Sequence, residues 1–433
     1  MKKKCGNLFK LAAEYSFYLF VFLLPWQTKL ILFPAENNFK EISLYVSYLI
    51  LFFSLICFFV YKIIDRDYGE RLPEIWYFLA GLELFIFFSF FFASDQLLAF
   101  YHYLIFLLGL GLFYMLREGT EQKNYQDCCL DKARVLYSLI SSVFLQALLG
   151  MYQFLTQSSF ACKYLGLAQH DPQTLGTAVI ETASGRWLRA YGGLDHPNIL
   201  GGVLAVTLIF AAYLLAKKKL LNSAKEVGES ILLFVFYFFG LFALLFTFSR
   251  TAWLAFIVSL IILLIIFIRQ KDSWVLGRYL AIIFFSLILV TIAIFPYHEL
   301  LQTRLNASGR LEQKSLVERK QYLWQAKDLI QKNWLFGVGI GNYTTTLERQ
   351  NVIKKTAWDY QPVHDVFLYL WAESGVFSLI FFLGFLFFLV RKGRGNIFSA
   401  AIFGALIILM LFDHWLFSLP FGVMFLFLIL GLI

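Results

Sequence analysis

Three residues whose types could do chemistry stand at the starts of long apolar stretches: Arg189 in RAYGGLDHPN, Arg250 in SRTAW and His364 in PVHDV. A helix beginning at each stretch has free N–H groups and a partial positive charge at its first turn. Arginines gathered at such ends make a pocket suited to phosphate or diphosphate. Arg250 lies in a short connection between two apolar runs, where partial burial in a hydrocarbon layer costs about 2.5 to 3.5 kcal/mol. It needs either an anionic partner or a path for its head group to the interface. Arg189 reads as an anion ligand or as an ordinary loop cation. His364 follows Pro362 at a helix start, where the helix dipole and neighbouring arginines disfavour the imidazolium. A neutral imidazole at pH 7 is a competent general base. Asp365 is a poor partner for it, because adjacent residues on a helix point about 100° apart. In Asp195-His196-Pro197-Asn198, the proline suits a first helical turn and Asp195 or His196 the cap, so His196 reads first as structural.

Metal chemistry has little support in the sequence. The one Asp-x-Asp, Asp65-Arg66-Asp67, falls on the opposite side of the molecule by the charge argument below, and no outer loop shows paired carboxylates or a His/Cys cluster. No metal or cofactor is expected. The glycines at 337, 339 and 341 follow a helical segment rather than a strand, so a tight turn is expected there and not a nucleotide fingerprint.

The elements that hold these residues are legible from composition. The chain has 433 residues, 60% hydrophobic and 15% charged, with 51 phenylalanines. A water-soluble surface needs about 25% charged residues, so an integral membrane protein is expected. Apolar windows fall near 14–33, 43–64, 74–93, 96–117, 133–156, 196–216, 229–248, 250–268, 278–296, 362–390, 396–412 and 415–433. Each is long enough to cross about 30 Å of hydrocarbon as a helix, which excludes a β-barrel. The fold class is therefore all-α and polytopic, with about twelve transmembrane helices. The stretch from 229 to 268 is split at Thr247-Phe248-Ser249-Arg250, since one helix of that length would reach about 60 Å.

The net charge of +9 would suggest nucleic acid in a soluble protein, but here the placement of Lys and Arg matters more and no nucleic-acid partner is expected. Basic residues crowd alternate connections, as at Lys217-Lys218-Lys219 and Arg391-Lys392-Gly393-Arg394, while the intervening short connections hold almost none. The positive-inside rule then puts both termini in the cytoplasm. The expected divisions are 1–156 with five spans, an outer loop 157–195, four spans in 196–296, a large outer segment 297–361 and three spans in 362–433. Met1-Lys2-Lys3-Lys4 precedes an apolar run without a small-residue cleavage site, which reads as a retained span. Cys5, Cys128 and Cys129 fall inside, Cys57 in a span and Cys162 alone outside, so no outer disulfide framework is expected.

The outer segments supply the room for soluble chemistry. Residues 157–195 read as loop, and 310–334 as an amphipathic helix with Leu316, Leu323, Ala326, Ile330 and Trp334 on its apolar face. Such a helix lies on the outer leaflet, anchored by Trp324 and Trp334, or caps a substrate.

Together these stretches resemble the O-antigen ligase and polymerase superfamily of bacterial envelope glycosyltransferases. The resemblance rests on Arg189 with Gly192 and His196-Pro197-Asn198, on Phe248-Ser249-Arg250-Thr251, on Glu318-Arg319 through Trp324 with Gly337-Val338-Gly339-x-Gly341-Asn342, and on Val363-His364 with Glu373-Ser374-Gly375. Where the family commonly has Asn after the histidine, this chain has Asp365. The resemblance implies a metal-independent enzyme of the glycosyltransferase C type, which moves a glycan from undecaprenyl diphosphate at the outer face of the bacterial inner membrane. In the ligase branch, favoured here, the acceptor is lipid A-core oligosaccharide; in the polymerase branch it is another carrier-linked glycan. By position, His364 would deprotonate the acceptor hydroxyl, while Arg189 and Arg250 bind the diphosphate. Arg319, Tyr322, His196 and Asn198 would contact substrate, though Arg319 and Tyr322 are secondary candidates that read first as exposed helix face. The phenylalanines at 87, 88, 90, 91 and 92 carry no assignment, because a lipid-facing surface and a groove for a prenyl tail read alike. An anion transporter is the reading from another class, with Glu83 as the midspan acidic residue in its favour. No half-to-half repeat supports it, and a nonenzymatic scaffold has less support still.

Overall fold

A computed structural model describes residues 2–65, 74–120, 129–183, 185–218, 223–306, 309–350, 359–392 and 397–433. Arg66, Asp67, Cys128, Lys219, Gly393 and Arg394 lie outside the described residues.

Each apolar window contributes a helix, the first nine being α1 (Lys2–Leu23), α2 (Val46–Asp65), α3 (Ile75–Phe90), α4 (Gln96–Thr120), α5 (Lys132–Thr156), α6 (Pro197–Lys217), α7 (Ala224–Phe246), α8 (Arg250–Gln270) and α9 (Ser273–Ile294), in chain order. The segment 297–361 supplies α10 (His298–Asn306), α11 (Arg310–Asn333) and α12 (Tyr343–Gln350), and then follow α13 (Val366–Lys392), α14 (Ile397–Phe412), α15 (Trp415–Ser418) and α16 (Pro420–Leu432). Among the described residues eight helices are long and apolar enough to cross a membrane, and Ile75–Phe90, Phe398–Phe412 and Pro420–Leu432 are shorter apolar helices. The protein is an all-α polytopic membrane protein.

The departures from the expected elements have local causes. Pro25 cannot continue a helix, so α1 stops at Leu23, and residues expected to lengthen it form β1 (Lys29–Phe33), paired antiparallel with β2 (Ile42–Tyr45). Pro420 likewise divides the last apolar stretch into α15 and α16. The loop 157–195 contains an antiparallel hairpin of β3 (Val179–Thr182) and β4 (Gly185–Leu188). The α7–α8 division falls where expected. Ser249 caps α8, its hydroxyl accepting from the Ala252 N–H, and Phe248 adopts a left-handed φ of 46°. Glu83 is bonded to the Tyr103 hydroxyl at 2.5 Å, between α3 and α4 and apart from the basic cluster described below.

α11 is helical as expected but presents a different face inward. Ala326 and Ile330 are buried, whereas Leu316, Leu323 and Trp334 are exposed and Glu312 and Tyr322 point inward. A helix lying against lipid can turn apolar residues outward, so its polar side is free to face the protein.

α6 is the central helix, with nearly every residue buried. Its glycine pair lets neighbours close on its first turns. A Cβ at Gly201 would lie 2.9 Å from the Ala252 Cβ, and one at Gly202 would lie 2.7 Å from the Trp415 ring. The starts of α6 and α8 and the α14–α15 turn therefore meet at one end of the bundle.

Candidate active site

His196 is the N-cap of α6: its Nδ1 accepts from the Asn198 N–H at 3.1 Å. That fixes a neutral ring with its proton on Nε2. Burial, reinforced by Arg189, pushes its pKa down to about 3. Arg189 is buried, its Nε donating to the Thr247 carbonyl at 2.7 Å and its Nη2 to Asn198 Oδ1 at 2.8 Å. The next carbonyl of the same turn, Phe248 O, accepts from Arg304 Nε at 2.9 Å. Two guanidinium groups thus grip the carboxyl end of α7, where the helix dipole favours cations, and stabilise the strained Phe248.

Asn198 extends the network by donating from Nδ2 to Asp413 Oδ2 at 3.2 Å. The other Asp413 oxygen accepts from the His414 N–H at 2.8 Å. Burial would raise the Asp413 pKa, but His364, His414 and Arg319 hold it below the usual carboxylate range. His364 stands just before α13, with its ring 4.9 Å from that of His414 at 87° and stacked on Tyr322 at 5.9 Å and 4°. Its Nδ1 is buried without a hydrogen-bond partner. Burial lowers the His364 pKa, with Asp413 opposing and Arg319 assisting the shift. The His414 pKa falls to about 3, chiefly through burial and then through His364. These groups border a cavity of about 350 Å³ that Asp195, His196, Asn198, His364, Asp413 and His414 help to line.

Beside the cavity, Glu312 of α11 takes both carboxylate oxygens to Arg304 Nη1, at 2.6 and 2.5 Å, and lies 3.9 Å from Arg250 Nη2. Arg250 also donates to the Arg304 carbonyl at 3.4 Å. Arg319 feels the same field as Arg189, Arg250 and His364, and its Nε is buried without a partner. Burial, with Arg304 next in effect, pushes the Arg189 pKa well below its ordinary range. A cluster of guanidinium groups sharing buried Glu312 has cationic charge left to bind an anion.

The structure brings Arg189, Asn198, His196, His364, Arg319 and Tyr322 to this end of the bundle, with Arg250 joined through Arg304 and Glu312. Tyr322 is 6% exposed, so it belongs to the site wall and not to an exposed helix face. Asp365 caps α13, its Oδ1 accepting from the Leu368 N–H at 2.8 Å, and does not orient His364. The sequence did not point to Arg304, Glu312, Asp413 or His414 as site residues. Asp413-His414 sits in a short connection between apolar stretches, the same signal that marked Arg250. Arg304 and Glu312 had no such signal, since both look like ordinary polar residues of an outer helix.

His364, Asp413 and His414 each offer a ligand atom within 4.8 Å of the others, a His–Asp–His group that no one stretch of sequence displays. The carboxylate accepts from Asn198 and from the His414 N–H, and Arg319 acts electrostatically on all three residues.

The glycine motif is a clasp on α13. Gly337, Gly339 and Gly341 have φ of 73°, 95° and 72°. Val338 and Gly339 donate to the Ala372 and Glu373 carbonyls at 2.9 Å, while the Glu373 carboxylate accepts from the N–H groups of Gly341 and Tyr343 at 2.9 and 3.1 Å. These bonds satisfy the backbone where α13 breaks at Gly375, φ 81°, and fix the short helical segment that follows His364.

The fold and site define a polytopic membrane protein with a cavity at one end of its helix bundle that histidine and aspartate side chains help to line, beside a cluster of guanidinium groups. Residues 233–383 match the family described as O-antigen ligase. That match supports the O-antigen ligase superfamily of ligase- or polymerase-type membrane glycosyltransferases for this part of the chain. The matched segment includes Arg250, Arg304, Arg319 and His364, while Arg189 and Asp413 fall outside it. No curated protein matches the sequence.

Proposed function

We propose that the protein is an O-antigen ligase, transferring a glycan from undecaprenyl diphosphate to lipid A-core oligosaccharide on the outer face of the bacterial inner membrane. The observation that supports this is the placement of buried His364 beside Asp413 and His414 at one cavity, with the guanidinium groups of Arg189, Arg250, Arg304 and Arg319 clustered next to it. His364 accepts the proton of the acceptor hydroxyl as that oxygen attacks the anomeric carbon. The bond from that carbon to the diphosphate oxygen breaks, and undecaprenyl diphosphate leaves with the electron pair. Arg189 and Arg250 bind that diphosphate, with Arg319 placed to assist. Fixed cations in a low-dielectric site stabilise the growing charge, so this mechanism does not require a metal ion. Asp413 faces His364 and stabilises the imidazolium formed during transfer. Tyr322, His196 and Asn198 wall the acceptor side, His196 and Asn198 chiefly by holding the start of α6 in place.

The test is transfer by purified protein from a polyprenyl-diphosphate-linked oligosaccharide to lipid A-core in excess EDTA. Labelled lipid A-core is the expected product. Longer glycans remaining on the polyprenyl carrier would replace the ligase by a polymerase, and product only on adding a divalent cation would overturn the metal-free mechanism. No product with either acceptor would remove the reading altogether.

A further inference from the structure

His364, Asp413 and His414 come together from two separate parts of the fold. His364 stands just before α13, while Asp413 and His414 stand in the turn between α14 and α15. One ligand atom from each lies within 4.8 Å of the others, and all three residues line the cavity of about 350 Å³, which gives an ion a way in. Zinc bonds of about 2.0 to 2.2 Å put the ligand atoms of a tetrahedron about 3.3 Å apart. The widest pair therefore has to close by at most about 1.5 Å, within reach of side-chain rotation in a loop and a turn.

Two of the three residues are already oriented as ligands are. His414 Nδ1 is bonded to Ser418 Oγ at 2.7 Å, which fixes the ring and leaves Nε2 as the nitrogen that can bind an ion. Asp413 accepts from Asn198 Nδ2 at 3.2 Å and from the His414 N–H at 2.8 Å, and each carboxylate oxygen keeps a further lone pair. The third residue is left incomplete by the protein: His364 Nδ1 is buried without a hydrogen-bond partner. The donors choose the ion. Arg319 acts on all three residues and disfavours any cation held by charge alone, which rejects magnesium and calcium. Two imidazoles and a carboxylate suit zinc, whose bonds to nitrogen do not depend on net charge in the same way.

We infer that His364, Asp413 and His414 form an inhibitory zinc site, in which the ion takes the His364 lone pair that would otherwise accept the proton of the acceptor. Each residue donates one electron pair, water holds the fourth position, and no bond of a substrate changes. The binding itself is independent of the ligase reading; the inhibition rests on it. The same ion ties the start of α13 to the α14–α15 turn.

The experiment uses full-length protein without a histidine tag, stripped with EDTA, returned to nanodiscs and titrated with cobalt(II) or with buffered free zinc. Cobalt should bind at one ion per chain with the visible absorption of a four- or five-coordinate site, yield to zinc but not to magnesium or calcium, and raise the melting temperature. His364→Gln and His414→Gln should each weaken zinc binding by more than about a hundredfold, and Ser418→Ala, which frees the His414 ring, by about tenfold. His298→Gln changes an exposed histidine outside the group and should leave binding as it is. Transfer, read against each protein's own rate in EDTA, should fall as the site fills, and half-inhibition of Ser418→Ala should need about tenfold more zinc. Binding that survives both histidine changes, or displacement by magnesium, would overturn the site. Transfer lost in EDTA and restored by zinc would overturn inhibition in favour of a catalytic metal. A protein that binds one zinc through these residues yet transfers no glycan in EDTA would keep the site and remove the ligase reading; full transfer with the site saturated would keep the ligase reading and remove the inhibition.

Discussion

At the scale of single residues, the site depends on keeping one imidazole neutral among arginines. Burial and Arg319 hold the His364 pKa below its ordinary 6.5. On the proposed mechanism His364 is therefore ready to act as the base throughout the neutral range, and kcat/KM should be flat there and fall only as pH drops below that value. Asp413 works in the opposite direction, favouring the protonated ring. Asp413→Asn should accordingly move the acid limb to still lower pH while reducing kcat; a limb moving upward would show that Asp413 does not face the base in the working enzyme. His364→Gln should lower kcat by about 10² to 10⁴ with donor binding little changed, as read by single-turnover assay and binding of the labelled donor. Full activity in that variant would eliminate His364 as the base. Glu312 invites a different substitution. Glu312→Ala leaves Arg304 buried without its carboxylate, a loss of about 3 to 5 kcal/mol, whereas Glu181→Ala removes only the exposed pair with Arg310 and should change stability by no more than about 1 kcal/mol. Thermal melts in detergent compare the two. The sequence made Arg189, Arg250 and His364 legible because a charge in an apolar setting stands out. Arg304 and Glu312 stayed hidden because their meaning lies in being folded against each other and against the carboxyl end of α7.

At the scale of elements, hydrophobic windows located the helices because crossing a bilayer imposes length and apolarity together. They failed where one proline decided the matter, at Pro25 and Pro420, and on α11. There periodicity correctly indicated a helix but could not say which side was wet. Leu316 and Leu323 stand exposed on α11 while Glu312 and Tyr322 turn inward, which lipid contact along its outer side would explain. The break in α13 was legible only as a glycine-containing motif. Its purpose depends on the approach of the 337–341 turn, and Gly375→Ala tests that directly. A Cβ there would sit 1.9 Å from the Leu335 carbonyl oxygen at a φ of 81°, so the clasp must open and the start of α13 must shift. A large fall in melting temperature with loss of transfer is expected. Gly228→Ala in α7, where a Cβ meets nothing within 4 Å, should be neutral or stabilising by up to about 1 kcal/mol. Similar outcomes for the two variants would mean that the clasp does not hold the helix.

At the scale of the whole molecule, the orientation of the bundle in the membrane decides which compartment the site faces. The charge pattern argues for cytoplasmic termini, since clusters such as Lys217-Lys218 and Arg391-Lys392 lie at the helix ends remote in sequence from Arg189, Arg250 and His364. The proposed reaction requires the same orientation, because its acceptor is met at the outer face. Two native cysteines separate the alternatives. Cys162 is partly exposed in the loop that leads into β3, while Cys129 is buried against α1 at the other end of α5, where its thiol reaches the Lys10 carbonyl. One helix, α5, runs between them, so they must lie toward opposite faces. In a variant retaining Cys162 alone, a membrane-impermeant maleimide applied to cells with a permeabilised outer membrane should label the protein before the inner membrane is opened. In a variant retaining Cys129 alone, labelling should require both an opened membrane and denaturant. Labelling of Cys162 only after the inner membrane is opened would invert the bundle, place His364 and its arginines in the cytoplasm, and leave a periplasmic transfer reaction without a site.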